Sequence, residues 1–463
     1  MSSETTPATP VAWADAQRIA YLAGRDAMPG AEQVALADAD GRTLAEALVT
    51  LTDLPPFPTS SIDGYAVRGA PPWRLLGRVL AGSVAPPMPT DPGTSDPGAA
   101  SAGASHTGAS GGRVTGVHGE TAAHGDTAAH GDAAGNSAAR AAGSGVAIEV
   151  ATGAMVPEGT EAILRTEDSR TTADGRIEGT PRSEPEWRVP GDEAARGEEL
   201  FPAGTAVDPG VIGLAAHCGY DALPVHRRPR AAVLVFGDEL LTDGLPGEGL
   251  VRDALGPALP SWLRRLGATV GAGVVHGPVK DTLDAHVDAI RTALDSADLI
   301  CTTGGTMRGP VDHLHPALRE LGGEYLINTV GVRPGFPMLV ARVPGPDGRD
   351  RFLAGLPGNP QSAIVALMSL VAPLLAGLSG RAQPQLPEVT LGAPIRGRGT
   401  DTHLALVRVD AAGVAWPMAH VGSSMLRGLA GASGFAVIPP GTSGEEGART
   451  TLVPLPLLNG ERR

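Results

Sequence analysis

The segment Gly355-Leu356-Pro357-Gly358-Asn359-Pro360-Gln361-Ser362 has the make-up of an anion cradle. A strand-like lead, Arg351-Phe352-Leu353-Ala354, runs into it, and a helical run from Ala363 to Leu378 leaves it. Two glycines and two prolines stiffen the turn. Asn359 and Ser362 fall where the helix begins, so the first backbone N–H groups have no intrahelical acceptor and point outward. Such an N-terminus suits phosphate or another oxyanion. A second loop of this kind, Thr302-Thr303-Gly304-Gly305-Thr306, follows the apolar run Ala297 to Cys301. Asp238 stands just past the apolar run Ala231 to Phe236, and Asp312 follows the Gly304-Gly305 loop. Two carboxylates near a phosphate-bearing ligand suit Mg²⁺, a hard cation that takes oxygen ligands and retains waters; each is equally able to cap a turn. Asp63, in a tight polar turn before Tyr65, reads as an Asx-turn or N-cap on the one hand and as a site carboxylate on the other.

These residues need a scaffold of alternating strands and helices, and the pattern from about Arg230 supplies one. Strands are expected at Ala231 to Phe236, Ala268 to Val275, Leu299 to Thr302 and Arg351 to Leu356, with helices at Leu255 to Leu266 and Thr282 to Leu294. That is a doubly wound α/β domain, whose ligands bind at the carboxyl ends of the strands. Upstream, Val11 to Leu48 reads as helical with a turn at Asp38 to Gly41; Trp73 to Ala81 and Val146 to Val150 read as strands. Gly197 to Thr205 reads as a hairpin, and Val211 to Cys218 as a helix stopped by Gly219. From about Arg381 short strands and turns predict a small β domain. The fold class is thus α/β multidomain, divided into an N-terminal helical/linker domain (1–53 and 165–226), a β-rich inserted domain (54–164), the α/β domain (227–380) and a C-terminal β domain (381–463). Residues 86–145 are almost devoid of large apolar side chains and are expected to be a disordered insertion. His118, His124 and His130 recur there in His-Gly-acid units, readable as a metal-binding tract or as a slipped repeat in a solvated loop.

Composition narrows the partners. A net charge of −14 opposes general nucleic-acid binding, which needs a basic face, so any anion must be held locally. Lys280 is the only lysine among many arginines, and aromatics make up only 3% of residues, leaving Leu, Val, Ala and Ile to build the cores. Cys218 and Cys301 match no metal-ligand spacing and read as buried thiols of a reduced, cytoplasmic protein. The polar N-terminus lacks a signal-like apolar stretch and no apolar run is expected to span a bilayer, so no membrane partner is expected.

The motifs, taken in order, resemble those of the molybdopterin molybdenumtransferases, the bacterial MoeA type and the gephyrin E-domain. They are Pro55-Pro56-Phe57 with Ser60-Ser61-Ile62-Asp63-Gly64-Tyr65-Ala66-Val67-Arg68; Thr152-Gly153-Ala154-Met155-Val156-Pro157-Glu158-Gly159 with Glu161-Ala162; Gly237-Asp238-Glu239-Leu240; Thr303-Gly304-Gly305-Thr306 with Asp312; Arg333-Pro334-Gly335; Gly355 to Ser362; and Gly422-Ser423-Ser424-Met425-Leu426. The resemblance implies a Mg²⁺-dependent insertion of molybdate into adenylylated molybdopterin with release of AMP, by a homodimer whose site is shared between subunits and which works beside other molybdenum-cofactor assembly proteins. It implies Asp63, Asp238, Asp312 and Arg333 as catalytic residues, Asp63 coming from the second subunit, with Asp238 and Asp312 also toward the metal; Glu161 matches a family acid and reads equally as an exposed turn carboxylate. Gly304, Gly305, Thr306, Arg308, Pro334, Gly335, Gly358, Asn359, Pro360 and Ser362 would hold pterin phosphate and anion, and Arg408, Ser423 and Ser424 fall near the family's molybdate position.

Several positions depart from the family pattern. Its Lys-Pro-Gly-Lys-Pro is here Arg333-Pro334-Gly335-Phe336-Pro337, and its Gly-Gly-Thr-Ser is Gly304-Gly305-Thr306-Met307 followed by Arg308. Phe236 replaces a Thr, Gly191-Asp192-Glu193 exchanges two acids, and Ala254-Leu255 replace Ser/Thr-Asn. Loss of a lysine at an oxyanion site removes a charge-assisted hydrogen bond of roughly 1.5–3 kcal/mol. Arg308 is expected to restore in part the cation lost at Phe336, in which case Phe336→Lys should matter more in an Arg308→Ala background. The alternative reading is a catalytically impaired paralogue that serves as a pterin- or anion-binding scaffold.

Overall fold

The computed structural model describes residues 9–90, 145–271, 275–307 and 312–457. The chain forms two compact units, one of residues Thr50–Glu198 and one of the chain on either side of it. The central 91–144 stretch, including the three His-Gly-acid units, lies outside the described residues, as does Arg308.

In the larger unit the all-apolar strand Ala231–Phe236 is buried along its whole length. A strand apolar on both faces must be covered on both. Ala231, Val233 and Val235 face one core with Leu259 and Leu263 of the helix Leu259–Arg265 and the long helix Pro360–Leu378. Ala232, Leu234 and Phe236 face the other, with Val287, Ile290 and Leu294 of the helix Leu283–Leu294 and Leu314 and Leu318 of the helix Leu314–Glu320. The six-stranded sheet runs Val275–Val279, Ala231–Phe236, Leu299–Thr303, Asp350–Leu356, Leu339–Pro344, Glu324–Ile327. Its first four strands are parallel and its last two antiparallel. This is the expected doubly wound layer, extended by an antiparallel edge.

Beyond residue 387, the strands Thr402–Val409, Val414–Pro417, Glu388–Leu391, Arg449–Pro454 and Gly434–Ile438 pair in a closed ring. The strand Val330–Arg333, from within the α/β segment, joins this β domain by pairing in parallel with Thr402–Val409, with Arg333 opposite His403. A smaller core of Leu44, Leu48, Val207, Val211, Leu223 and Val225 completes the unit.

The other unit centres on a sheet ordered Arg74–Val79, Val146–Val150, Gly64–Arg68, Ala162–Arg165. Residues 169–188 belong with it, because Trp73 bridges Ile177 and the strand Trp187–Arg188 pairs with Thr59–Ser60. The unit therefore extends to Glu198, beyond the boundary at 164 expected from sequence.

Other expectations are corrected by tertiary pairing. Helix in 11–48 is confined to the α-helix Trp13–Asp26 and a 3-10 turn at Leu36–Asp38; Ala31–Ala35 is a strand paired with Ala222–His226. The strand Glu199–Phe201 pairs with Leu48–Val49, far away in sequence, instead of closing a local hairpin. The helix expected from Leu255 starts at Leu259, after an Asp253 carboxylate that accepts from the N–H groups of Leu255 and Gly256. The strand expected at 268–275 is Val275–Val279. The expected insertion starts later than residue 86, since Met88 is buried against Val79, Ile148 and Val156 and its N–H donates to the Glu158 carbonyl. Finally, among the described residues one helix is long and apolar enough to cross a membrane, contrary to the sequence expectation: Pro360–Leu378, 19 residues with mean hydropathy 1.9. It is 94% buried within the protein, as the central helix of the main core.

Candidate functional site

A cleft of about 1730 Å³ opens at the carboxyl ends of the parallel strands in the larger unit. Its floor is made by the two glycine loops. Gly304 and Gly305 have φ of +84° and +67°, a region in which a side chain is strained, so glycine here is required by the turn itself. The loops nest closely: a Cβ on Gly358 would lie 3.7 Å from the Gly304 Cα, and the Gly304 N–H donates to the Leu356 carbonyl at 3.0 Å.

The helix N-terminus is less open than its sequence predicts. The N–H groups of Gln361 and Ser362 both donate to the Ser423 carbonyl, at 2.9 and 3.3 Å. The 422–424 turn thus uses donors expected to face an anion, because a nearby loop can reach them. Among the described residues, the N–H groups of Gly305, Thr306, Gly358 and Asn359 have no protein acceptor. The cradle consists of these four.

The cleft brings together Gly304, Gly305, Thr306, Asp312, Arg333, Pro334, Gly335, Gly358, Asn359, Pro360, Ser362, Ser423 and Ser424. Three of the remaining sequence-derived candidates lie elsewhere. Arg408 is exposed on the Thr402–Val409 strand opposite Trp416 and does not line the cleft, while Leu404 and Leu406 of that strand do. Asp238 is also off the lining. Its N–H donates to Asp281 Oδ2 at 3.2 Å, and the Asp281 N–H donates to Asp238 Oδ1 at 3.4 Å, so the two aspartates clasp each other's backbones. Asp281 in turn lies 3.6 Å from His286, which stacks on Phe236 at 3.8 Å; burial pushes the His286 imidazole below its ordinary value.

Asp63 belongs to the smaller unit. Its Oδ1 accepts from the N–H and hydroxyl of Thr152 at 2.7 and 3.0 Å, and these bonds hold the carboxyl below the usual carboxylate range. The carboxylate thus ties its own turn to the 152 turn, 89 residues away, in place of an Asx-turn or N-cap bond within its own segment, and is kept ionised. Glu161 similarly accepts from the Gly69 N–H at 3.0 Å.

Arg333, expected to offer its charge to an anion, is engaged within the protein. Its Nε donates to Asp401 Oδ2 at 2.8 Å, and its guanidinium carbon sits 4.7 Å above the Phe336 ring. The aromatic at 336 is therefore a platform for the neighbouring arginine.

The fit to Mg²⁺ rests on few groups. Among the described residues no three His, Cys, Asp or Glu side chains gather as a ready-made metal site. Mg²⁺ commonly binds through one or two carboxylates together with substrate phosphates, and Asp312 lines the cleft where such phosphates would lie.

Sequence reasoning missed the part of the lining supplied by the β domain, the segment 394–399 with Arg396 and Arg398, and also Arg252. The Arg-Gly-Arg-Gly spacing was the available signal, but its position against the cleft depends on ring closure in the β domain. Cys218 and Cys301 are buried and unoxidised, and burial pushes the Cys301 thiol up to about 12.

Three family models match the chain: the MoeA N-terminal region (domain I and II) over residues 11–219, a "Probable molybdopterin binding domain" over 232–377, and the MoeA C-terminal region (domain IV) over 388–455. A molybdopterin molybdenumtransferase of Bacillus subtilis is 30% identical over 318 residues, covering 66% of this chain and 72% of that protein. One of Staphylococcus aureus is 30% identical over 249 residues, which is 53% of this chain and only 58% of the relative's length. The solved structure of a molybdopterin biosynthesis MoeA protein from Pyrococcus horikosii superposes with a TM-score of 0.71 at 22% identity, covering 96% of this chain and 99% of that one, a likeness of fold.

Proposed function

The chain belongs to the MoeA family of molybdopterin molybdenumtransferases, and on that premise we propose that it inserts molybdate into adenylylated molybdopterin and releases AMP. The observation that carries this reading is the cleft itself, which sets two glycine loops against an arginine-bearing wall at the carboxyl ends of a parallel sheet. The N–H groups of Gly305, Thr306, Gly358 and Asn359 would take phosphate oxygens without any side-chain charge. Ser423 and Ser424, exposed at the cleft, would orient the incoming oxyanion by hydrogen bonding. Asp312 would hold Mg²⁺ together with substrate phosphate oxygens; bound there, the ion would neutralise phosphate charge.

The protein acts, in this reading, as a cytoplasmic homodimer. Asp63, kept ionised by Thr152, is the carboxylate that one subunit presents to its partner's cleft. Reconstitution tests the proposal: purified protein, adenylylated molybdopterin, Mg²⁺ and molybdate, with AMP release followed by chromatography. Molybdate-dependent AMP is the expected product. Tight pterin binding with no AMP would replace the enzyme reading by that of a pterin-binding scaffold. Asp63→Asn should lower kcat while leaving pterin affinity unchanged, and mixed dimers with a cleft-defective variant should regain activity if the site is shared.

A further inference from the structure

Among the described residues four arginines line the cleft, and their surroundings separate them. Arg333 is countered by Asp401 and covers Phe336, so much of its charge is spent inside the protein. Arg252 lies on an exposed two-residue strand at the cleft's edge. Arg396 and Arg398 form no ion pair with any described residue, yet their backbone is among the most firmly held of the cleft's walls.

The holding is specific. Ile395 is buried and exchanges both backbone hydrogen bonds with Gly444, each 2.8 Å. The Gly397 N–H donates to Ser443 Oγ at 3.1 Å, and the Gly441 N–H to the Gly399 carbonyl at 2.7 Å. A Cβ on Gly397 would fall 1.8 Å from the Thr442 carbonyl oxygen, so only glycine permits this approach. On the other side, His403 Nδ1 donates to the Arg396 carbonyl at 2.8 Å, and the Asp401 N–H bonds the Arg398 carbonyl at 3.3 Å. A pinned loop carrying two cations with no ion-pair partner among the described residues, lining the same cleft as four N–H groups that lack acceptors among those residues, is a preorganised arrangement for a tetrahedral oxyanion.

We infer that Arg396 and Arg398 are the side-chain cations of the oxyanion site, taking the part that the Arg333–Phe336 segment does not play in this chain. This deepens the molybdenumtransferase reading and rests on it for the identity of the anion. Two sources of the same chemistry are available, free molybdate and the phosphates of the pterin substrate. The glycine loops already offer uncharged donors suited to the phosphate, so molybdate is assigned to the arginine wall.

The test uses the full-length protein with Arg396→Ala, Arg398→Ala and Arg398→Lys, their folding checked by thermal unfolding. Three quantities are read: the KM for molybdate in AMP release, the Kd for adenylylated molybdopterin, and binding of molybdate alone by equilibrium dialysis. Each alanine variant should raise the molybdate KM and weaken direct molybdate binding by about ten- to hundredfold, the loss of a charge-assisted hydrogen bond. Arg398→Lys should recover part of the loss, since a lysine keeps the charge and loses the planar fork. Weakened pterin binding with an unchanged molybdate KM would overturn the assignment to molybdate. No change in any of the three would overturn the site altogether. Should the wild type release no AMP yet bind molybdate in an arginine-dependent way, the enzymatic reading falls and the oxyanion site stands.

Discussion

The two walls of the cleft are built on opposite plans. On the glycine side, the donors are main-chain N–H groups, and their direction follows from local φ/ψ at Gly304, Gly305 and the turn before Pro360. On the arginine side, the donors are flexible side chains, and their position follows from a loop tied to distant residues 441–444 and to His403. A backbone cradle cannot be moved without remaking the turn, whereas a charge can be relocated from one loop to another while the cradle persists. The proposed site is of the second kind: Phe336 brings no charge to the lining, and Arg396 and Arg398 bring two from another loop.

The sharpest way to break the comparison is to damage one wall and leave the other. Gly305→Val places a β-branched residue at φ +67°, and even a bare Cβ there would touch Leu314 at 3.4 Å and Phe236 at 3.7 Å. Strain of about 1–3 kcal/mol at such a site should weaken adenylylated molybdopterin binding by roughly ten- to hundredfold. Direct molybdate binding, measured by dialysis, should change far less than in the arginine variants. Equal losses of both ligands would mean that the walls act as one unit.

A second experiment shifts charge between loops. Asp401→Asn removes the partner of Arg333 while conserving shape. The pair is half exposed on the arginine side, so its contribution to stability is about 0–1 kcal/mol and the fold should survive. Freed from its counter-ion, Arg333 should lower the molybdate KM by up to about fivefold. A rise in KM would show instead that Asp401 serves the anion site by holding the Arg333 side chain in place.

What could be read from sequence follows the same division. The strand Ala231–Phe236, apolar at every position, could only be a central strand, and the Gly355-to-Ser362 turn declares both its strand and its helix. Those are local statements. By contrast, the donation of the Gln361 and Ser362 N–H groups to Ser423 joins segments about sixty residues apart, and no spacing in either segment announces it. The same holds for the strand Val330–Arg333, which leaves the α/β sheet to pair with the β domain and thereby carries Arg333 to Asp401. Arg408 illustrates the converse. It shares a strand face with Leu404 and Leu406, which line the cleft, but lies past the end of the lining, and the period-2 pattern of a strand does not say how far along it a cleft reaches.

The smallest expected effect concerns His403, which ties the arginine wall to its strand. Because a carbonyl can only accept, the bond to the Arg396 carbonyl requires a proton on Nδ1. Burial lowers the His403 imidazole from its ordinary 6.5, helped by the charge of Arg398 and opposed by the bond to Arg396. The unfolded chain therefore takes up this proton at a higher pH than the folded one. The resulting stability is complete above the unfolded value near 6.5 and is lost as pH falls through the lowered folded value. His403→Phe should flatten this acid-side decline in Tm, by on the order of a few degrees between pH 7.5 and 5. It should also raise the molybdate KM only about two- to tenfold at pH 7.5, the range of one neutral hydrogen bond that positions Arg396. An unchanged pH profile with a large rise in KM would place His403 in contact with the anion itself, since a residue that merely anchors the loop would alter the slope first.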